Sequence, residues 1–241
     1  MEDHCSGKKT PFRAIRASGG QAGPWKGGQH YRDQPVAIDR SKTTGHILSM
    51  PKPSLREQLL SAGLDTLHQN GFNATSVQDI ADAAGAPKGS FYNHFESKEA
   101  LAAEVVLKYE EQRKARRSIL RDARLAPLRR LRQYFEGVNK AVAEEEFTTG
   151  CLLGNFAAEL SNQSPLIRER VGKALAAWCD EVALVIGEAQ KAGAVSKEIS
   201  SQSLAAFVIH AWEGAMLQAK VDKDRAPLDD FVKVTFSKLL A

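Results

Sequence analysis

The stretch TSVQDIADAAGAPKGSFYNHFESKEA, residues 75–100, contains two short helical patterns joined by a glycine-containing turn. Ser76 is placed to cap the first, and Asp79 three residues on completes a reciprocal capping pair. Val77, Ile80, Ala81 and Ala84 recur at helical spacing and give that helix one apolar stripe. Gly85 suits the left-handed position that ends a helix. Pro87 suits the first turn of the next, where its missing N–H costs nothing. Phe91 and Phe95 stand four apart and point inward together. That leaves Lys88, Ser90, Tyr92, Asn93 and His94 outside, with Gly89 letting a backbone be approached closely. A short helix with a positive, hydrogen-bonding outer face suits the major groove of DNA. A hairpin that only packs a core needs no such face. Ser97 caps a third pattern, with Lys98 in its first turn.

Upstream, Ser54 and Glu57 form a second capping box, and Leu55, Leu59, Leu60, Leu64 and Leu67 form an apolar side ending at Asn70-Gly71. This helix is expected to pack behind the two short ones. The run PKGSFYNHFESKEAL, residues 87–101, resembles the DNA-binding helix-turn-helix of TetR-family repressors. The resemblance implies an all-α fold of about nine helices, with a small N-terminal head and a larger ligand-sensing and dimerisation body. It implies a homodimer formed by the last two helices of each subunit, a near-palindromic double-stranded operator and a small-molecule inducer. Repression rather than activation follows from the family alone. By the same resemblance Gly89, Ser90, Tyr92 and His94 contact DNA, Tyr92 and His94 through phosphates. Lys88 is expected at phosphate or base, Lys98 at a phosphate, and Gln78 and Thr75 are lesser candidates. Asn93 departs from the family's usual aromatic or His. It either reads adenine bidentately or merely touches sugar or water.

Composition fits this picture without proving it. The chain of 241 residues carries a formal net charge of +4, which permits nucleic-acid binding. No apolar run approaches the roughly 18 residues of a membrane span. Cys5, Cys151 and Cys179 suit neither a zinc pattern nor a disulfide framework, so a reducing cytoplasm is expected, with no metal and no cofactor. No phosphate loop or nucleophile elbow points to an enzyme, and a thiol hydrolase built on Cys151 is a remote alternative. Residues 1–49 are rich in Gly, Arg, Lys and Gln without helical periodicity. They read as a disordered basic arm, as a non-native extension, or as sequence upstream of a true start at Met50; the last two are preferred. The expected head is then 50–98 and the body 99–241.

In the body, helices are expected from Ser97 to about Arg117, from Pro127, from Ser164-Pro165 to Lys191, from about Ser201 to Val221, and from Pro227 to about Leu240. Arg113, Lys114, Arg116, Arg117, Arg121, Arg124, Arg129, Arg130 and Arg132 form a basic cluster, read as a solvated face rather than a second DNA surface. The stretches 147–160 and 212–220 resemble a TetR subgroup that includes the repressor of N-ethylmaleimide reductase and acrylate-responsive repressors. That likeness pairs Cys151 with Lys220 as an effector-sensing site, at which a small reactive electrophile is expected to modify the thiol and release the operator. Independently, Gly150 ahead of an apolar run puts Cys151 near a helix N-terminus, which would lower its pKa, and a nearby ammonium would lower it further. A buried cysteine is equally an ordinary core residue. The alternative is a reversible ligand, for example a small carboxylic acid. Its cavity would be lined by Tyr134, Phe156, Trp178, Trp212 and Met216 and oriented by Asn155, Glu159, His210 or Lys220.

Overall fold

A computed structural model describes residues 53–241, in which every regular element is a helix. The expectations for residues 1–49, Cys5 and Met50 lie outside the described residues. Nine α-helices follow one another: α1 Leu55–Asn70, α2 Val77–Ala83, α3 Lys88–Phe91, α4 Lys98–Arg117, α5 Pro127–Glu144, α6 Leu152–Leu160, α7 Pro165–Lys191, α8 Ser201–Asp222 and α9 Ala226–Val234. A 3-10 turn at Ser118–Arg121 joins α4 to α5, and a π-helical turn at Thr235–Leu239 follows α9.

Local chemistry sets most boundaries. Both capping boxes form: Ser54 with Glu57 at α1 and Ser76 with Asp79 at α2. Gly85 takes φ +65° after α2, a conformation that disfavours a side chain. Pro87 sits one residue earlier than expected, as the N-cap of α3. Pro127 and Pro165 occupy the first turns of α5 and α7. Glu146 and Phe147 end α5 in left-handed conformations (φ +52° and +55°), so three consecutive glutamates lead into a reversal rather than a longer helix.

Head and body share one hydrophobic core, because α4 packs on α1 at its start and on α7 along its length. Phe91, Phe95, Ile80 and Leu101 close the head, and Phe135, Phe156, Trp178 and Trp212 fill the body. The rings of Trp178 and Trp212 meet edge to face at 5.4 Å, a geometry worth about 1 kcal/mol beyond area burial.

One expectation needs correction. The basic cluster is not uniformly solvated: Arg113, Arg117 and Arg130 are buried. Arg117 meets Glu110 at 2.9 Å and Glu181 at 3.4 Å, and Arg130 pairs with Glu188 and donates to the Leu120 carbonyl at 2.8 Å. The last helix, α9, turns Leu228, Phe231 and Val232 into the body and leaves Val234 exposed. The large exposed apolar side chains lie mainly on α7 (Leu166 and Leu184) and α8 (Phe207, Leu217 and Val221).

Candidate functional site

The outer face of the head is built as the sequence predicts. The aromatic pair Phe91–Phe95, with ring centroids 5.6 Å apart, anchors α3 from below. Lys88, Gly89, Tyr92 and Asn93 are exposed, and Ser90 and His94 half-buried. Tyr92 stands 55% exposed, edge-on to Phe91 at 5.3 Å, so its hydroxyl projects from a fixed ring. A Cβ added at Gly89 would meet nothing within 4 Å. The fold itself therefore does not demand glycine there; what the glycine leaves open is approach from outside. Gln78 is exposed but already donates to Asp82 at 2.6 Å.

Two expected DNA contacts are placed otherwise. Thr75 is buried, and its hydroxyl donates to the Gly71 carbonyl at 2.7 Å. Lys98 is half-buried; its ammonium donates to the carbonyls of Phe72 at 2.7 Å and Thr75 at 2.6 Å and lies 4.0 Å from the Phe72 ring centroid. Burial lowers its pKa, with Glu159 opposing. Both residues brace the turn that leads into α2 rather than face outward.

In the body, Gly150 (φ +78°) turns the chain so that Cys151 becomes the N-cap of α6. Cys151 and Lys220 do reach a common cavity of about 290 Å³, with Asn155 and Met216 on its wall. The expected activation is corrected, however. Lys220 donates to the Thr149 carbonyl at 3.2 Å. The thiol is buried, and burial pushes its pKa up to about 12, with Glu213 adding to the rise and Arg113 opposing it. Desolvation outweighs the helix terminus, so the resting thiol is protonated. Glu213 went unread in the sequence. It lines the same cavity, and burial raises its own pKa.

The expected single aromatic cavity is divided. Tyr134, Phe156 and Trp178 are core residues, each 2% exposed or less. Glu159 accepts from the backbone N–H groups of Phe72 at 3.2 Å and Asn73 at 2.8 Å, so it clamps the head instead of orienting a ligand. His210 is exposed on α8 and lines, with Cys179 and Glu213, a separate pocket of about 240 Å³. Trp212 lines a second cavity, of about 370 Å³, between α1, α4 and α5. Arg113, one of the basic residues expected at a solvated face, reaches it from α4. No signal within the chain marked it, since its neighbours come from distant helices. His68 of α1 donates from Nε2 to the Gly150 carbonyl at 2.9 Å beside this cavity, and burial lowers the pKa of its imidazole.

Comparison with known proteins agrees with this architecture. Residues 59–105 match the family model "Bacterial regulatory proteins, tetR family", and residues 127–235 match "Tetracyclin repressor-like, C-terminal domain". The HTH-type transcriptional repressor DhaR of Mycobacterium sp. (strain GP1) is 38% identical over 192 residues, 79% of this chain and 95% of the relative. The transcriptional regulator AcuR of Cereibacter sphaeroides is 32% identical over 209 residues, 86% of this chain and 94% of the relative. A crystal structure of regulatory protein TetR from Rhodobacter sphaeroides superposes with TM-score 0.71 at 32% identity, covering 75% of this chain and 97% of that one. The fold of reduced E. coli NemR is also similar, with TM-score 0.66 at 23% identity over 74% of this chain and 93% of that one. The chain therefore belongs to the TetR family of DNA-binding transcriptional repressors, which are regulators and not enzymes.

Proposed function

We propose that this chain is a cytoplasmic homodimeric repressor released from its operator by a small molecule bound reversibly in the body. The observation that supports its DNA face is the outward set Lys88, Ser90, Tyr92, Asn93 and His94 around the open side of Gly89. Lys88, Tyr92 and His94 take phosphates, Asn93 is the base-reading candidate, and Gln78 contributes at the edge of α2. Leu184, Phe207, Leu217 and Val221 are each at least 60% exposed and supply the apolar face for a partner subunit. Pairing α7 and α8 across a twofold axis presents two heads to successive major grooves.

Reversible binding is favoured over thiol chemistry because the resting Cys151 is protonated and buried. A second reading keeps Cys151 as an electrophile sensor, because it shares a cavity with Glu213 and Lys220. In that case sulfur adds to an activated alkene while Glu213 accepts the thiol proton. The alkene's electron pair then takes that proton at carbon, and no group leaves. The test is anisotropy of a duplex from the gene's own upstream region, with N-ethylmaleimide titrated into wild type and Cys151→Ser. Release from wild type alone establishes the thiol reading. Retention by both excludes it. No binding of any upstream duplex overturns the repressor assignment of these residues.

A further inference from the structure

Three guanidinium groups are buried in the body, and they differ in one respect. Arg117 and Arg130 are neutralised by glutamates. Arg113, only 8% exposed, has no carboxylate within 4.0 Å among the described residues. Its neighbours are neutral: the Tyr109 hydroxyl, the Cys151 sulfur at 3.8 Å, and the rings of Tyr109 and Trp178, each with its centroid 5.0 Å from the guanidinium carbon. Glu213 lines the neighbouring cavity rather than pairing with Arg113; burial raises the pKa of its carboxyl and the field of Arg113 opposes that rise. A guanidinium cannot shed its proton to escape burial, and an unpaired buried charge is costly.

Arg113 instead borders the cavity of about 370 Å³ between α1, α4 and α5. Leu64, Val138, Val142 and Trp212 give that cavity apolar walls. The acids that line it, Asp65 and Glu145, are exposed, as is Arg116, so these charges lie at its solvent side. The lining is mixed, with His68, Tyr109 and Gln112 beside the apolar residues, and Arg113 is its one buried guanidinium. A buried cation next to an apolar wall, in a volume suited to a small molecule, is a recognition pattern for an organic anion. We propose that this cavity binds a small carboxylate, whose oxygens pair with Arg113 and whose hydrocarbon part packs against Val138, Val142 and Trp212. As an inducer site it rests on the reversible reading above; as an anion site it does not. Inorganic phosphate carries charge but nothing to place against the apolar walls, so it is the weaker ligand.

The test is calorimetric titration of the full chain with butyrate and benzoate. Butyramide and benzamide serve as uncharged matches, and inorganic phosphate as an anion without hydrocarbon. The carboxylates should bind roughly tenfold or more tighter than their amides, since the paired charge is what differs. Arg113→Gln should erase that preference. If Arg113→Gln does not fold, Val142→Trp, which fills the cavity and leaves Arg113 in place, should lose binding. The site is refuted if neither carboxylate binds, if amide and acid bind alike, if phosphate matches butyrate, or if the acid preference survives Arg113→Gln. Carboxylate binding that leaves operator affinity unchanged keeps the anion site and sinks its role as inducer site.

Discussion

Lys98→Met separates two roles for a residue that lies in the DNA-binding head. The substitution keeps chain length and removes the ammonium that donates to the Phe72 and Thr75 carbonyls at 2.7 and 2.6 Å. A hydrogen bond from a charged donor is worth about 1.5–3 kcal/mol where water is excluded. The contact with the Phe72 ring, 4.0 Å away, adds about 0.5–1 kcal/mol. Lys98 is half-buried, so water replaces part of each bond, and the net loss works out at about 2 kcal/mol. For a domain of this size that is a fall in Tm of about 4–8 °C. The assay pairs urea unfolding with operator binding at several salt concentrations. A brace for the α1–α2 turn predicts lower stability and weaker binding with an unchanged salt dependence. A phosphate contact predicts unchanged stability and a log–log salt slope smaller by about one. The second pattern would refute the bracing role.

Thr75→Val should cost about 1 kcal/mol in urea unfolding by removing the buried bond to the Gly71 carbonyl, with no change in salt slope. Arg117→Ala leaves the largely buried Glu110 and Glu181 without their shared cation and should destabilise by about 3–5 kcal/mol, read by denaturant midpoint. Phe207→Glu, at an exposed position of α8, should leave the fold intact, give a monomer by sedimentation and weaken operator binding. The Cys151 thiol is raised from 9.0 to about 12, so between those values the folded chain keeps a proton that the unfolded chain has lost. Its contribution is full below pH 9 and disappears as pH rises toward 12; wild type should lose urea resistance across that window faster than Cys151→Ser.

What the sequence made legible was what neighbours in the chain decide. The Ser54–Glu57 and Ser76–Asp79 caps, the left-handed Gly85 and the first-turn prolines of α5 and α7 depend on residues a few positions apart, and all form. The inward Phe91 and Phe95 follow from helical period. Charge burial is a different kind of property. Arg130 finds Glu188 at a separation of 58 residues, and Arg113 meets Cys151 at a separation of 38. Nothing along α4 or α5 announces these partners, so a basic stripe reads as solvated. The thiol failed for the same reason. Its helix N-terminus was visible beside it, while the burial that dominates its pKa came from helices elsewhere in the chain.

The short helix α6 is joined to the head by polar links near both of its ends. Just before its first turn, the Gly150 carbonyl accepts from His68 near the end of α1. In its last turn, Glu159 accepts from Phe72 and Asn73 in the turn that Lys98 braces from the other side. Gly71 allows this clamp: a Cβ there would come within 2.5 Å of the Glu159 carboxylate. Both cavities touch Gly150, the larger through α1 and the smaller through Cys151. A ligand in either one, or an adduct on the thiol, therefore meets the residue that links α6 to α1. Moving α6 must either break its links to the head or carry the α1–α2 turn along, and α2, which follows that turn, packs on α3. Neither event changes operator affinity unless the ligand binds the displaced arrangement more tightly than the resting one. Arg113 provides such a preference if a carboxylate can close on it only when α6 and α1 have separated around the Gly150–His68 contact.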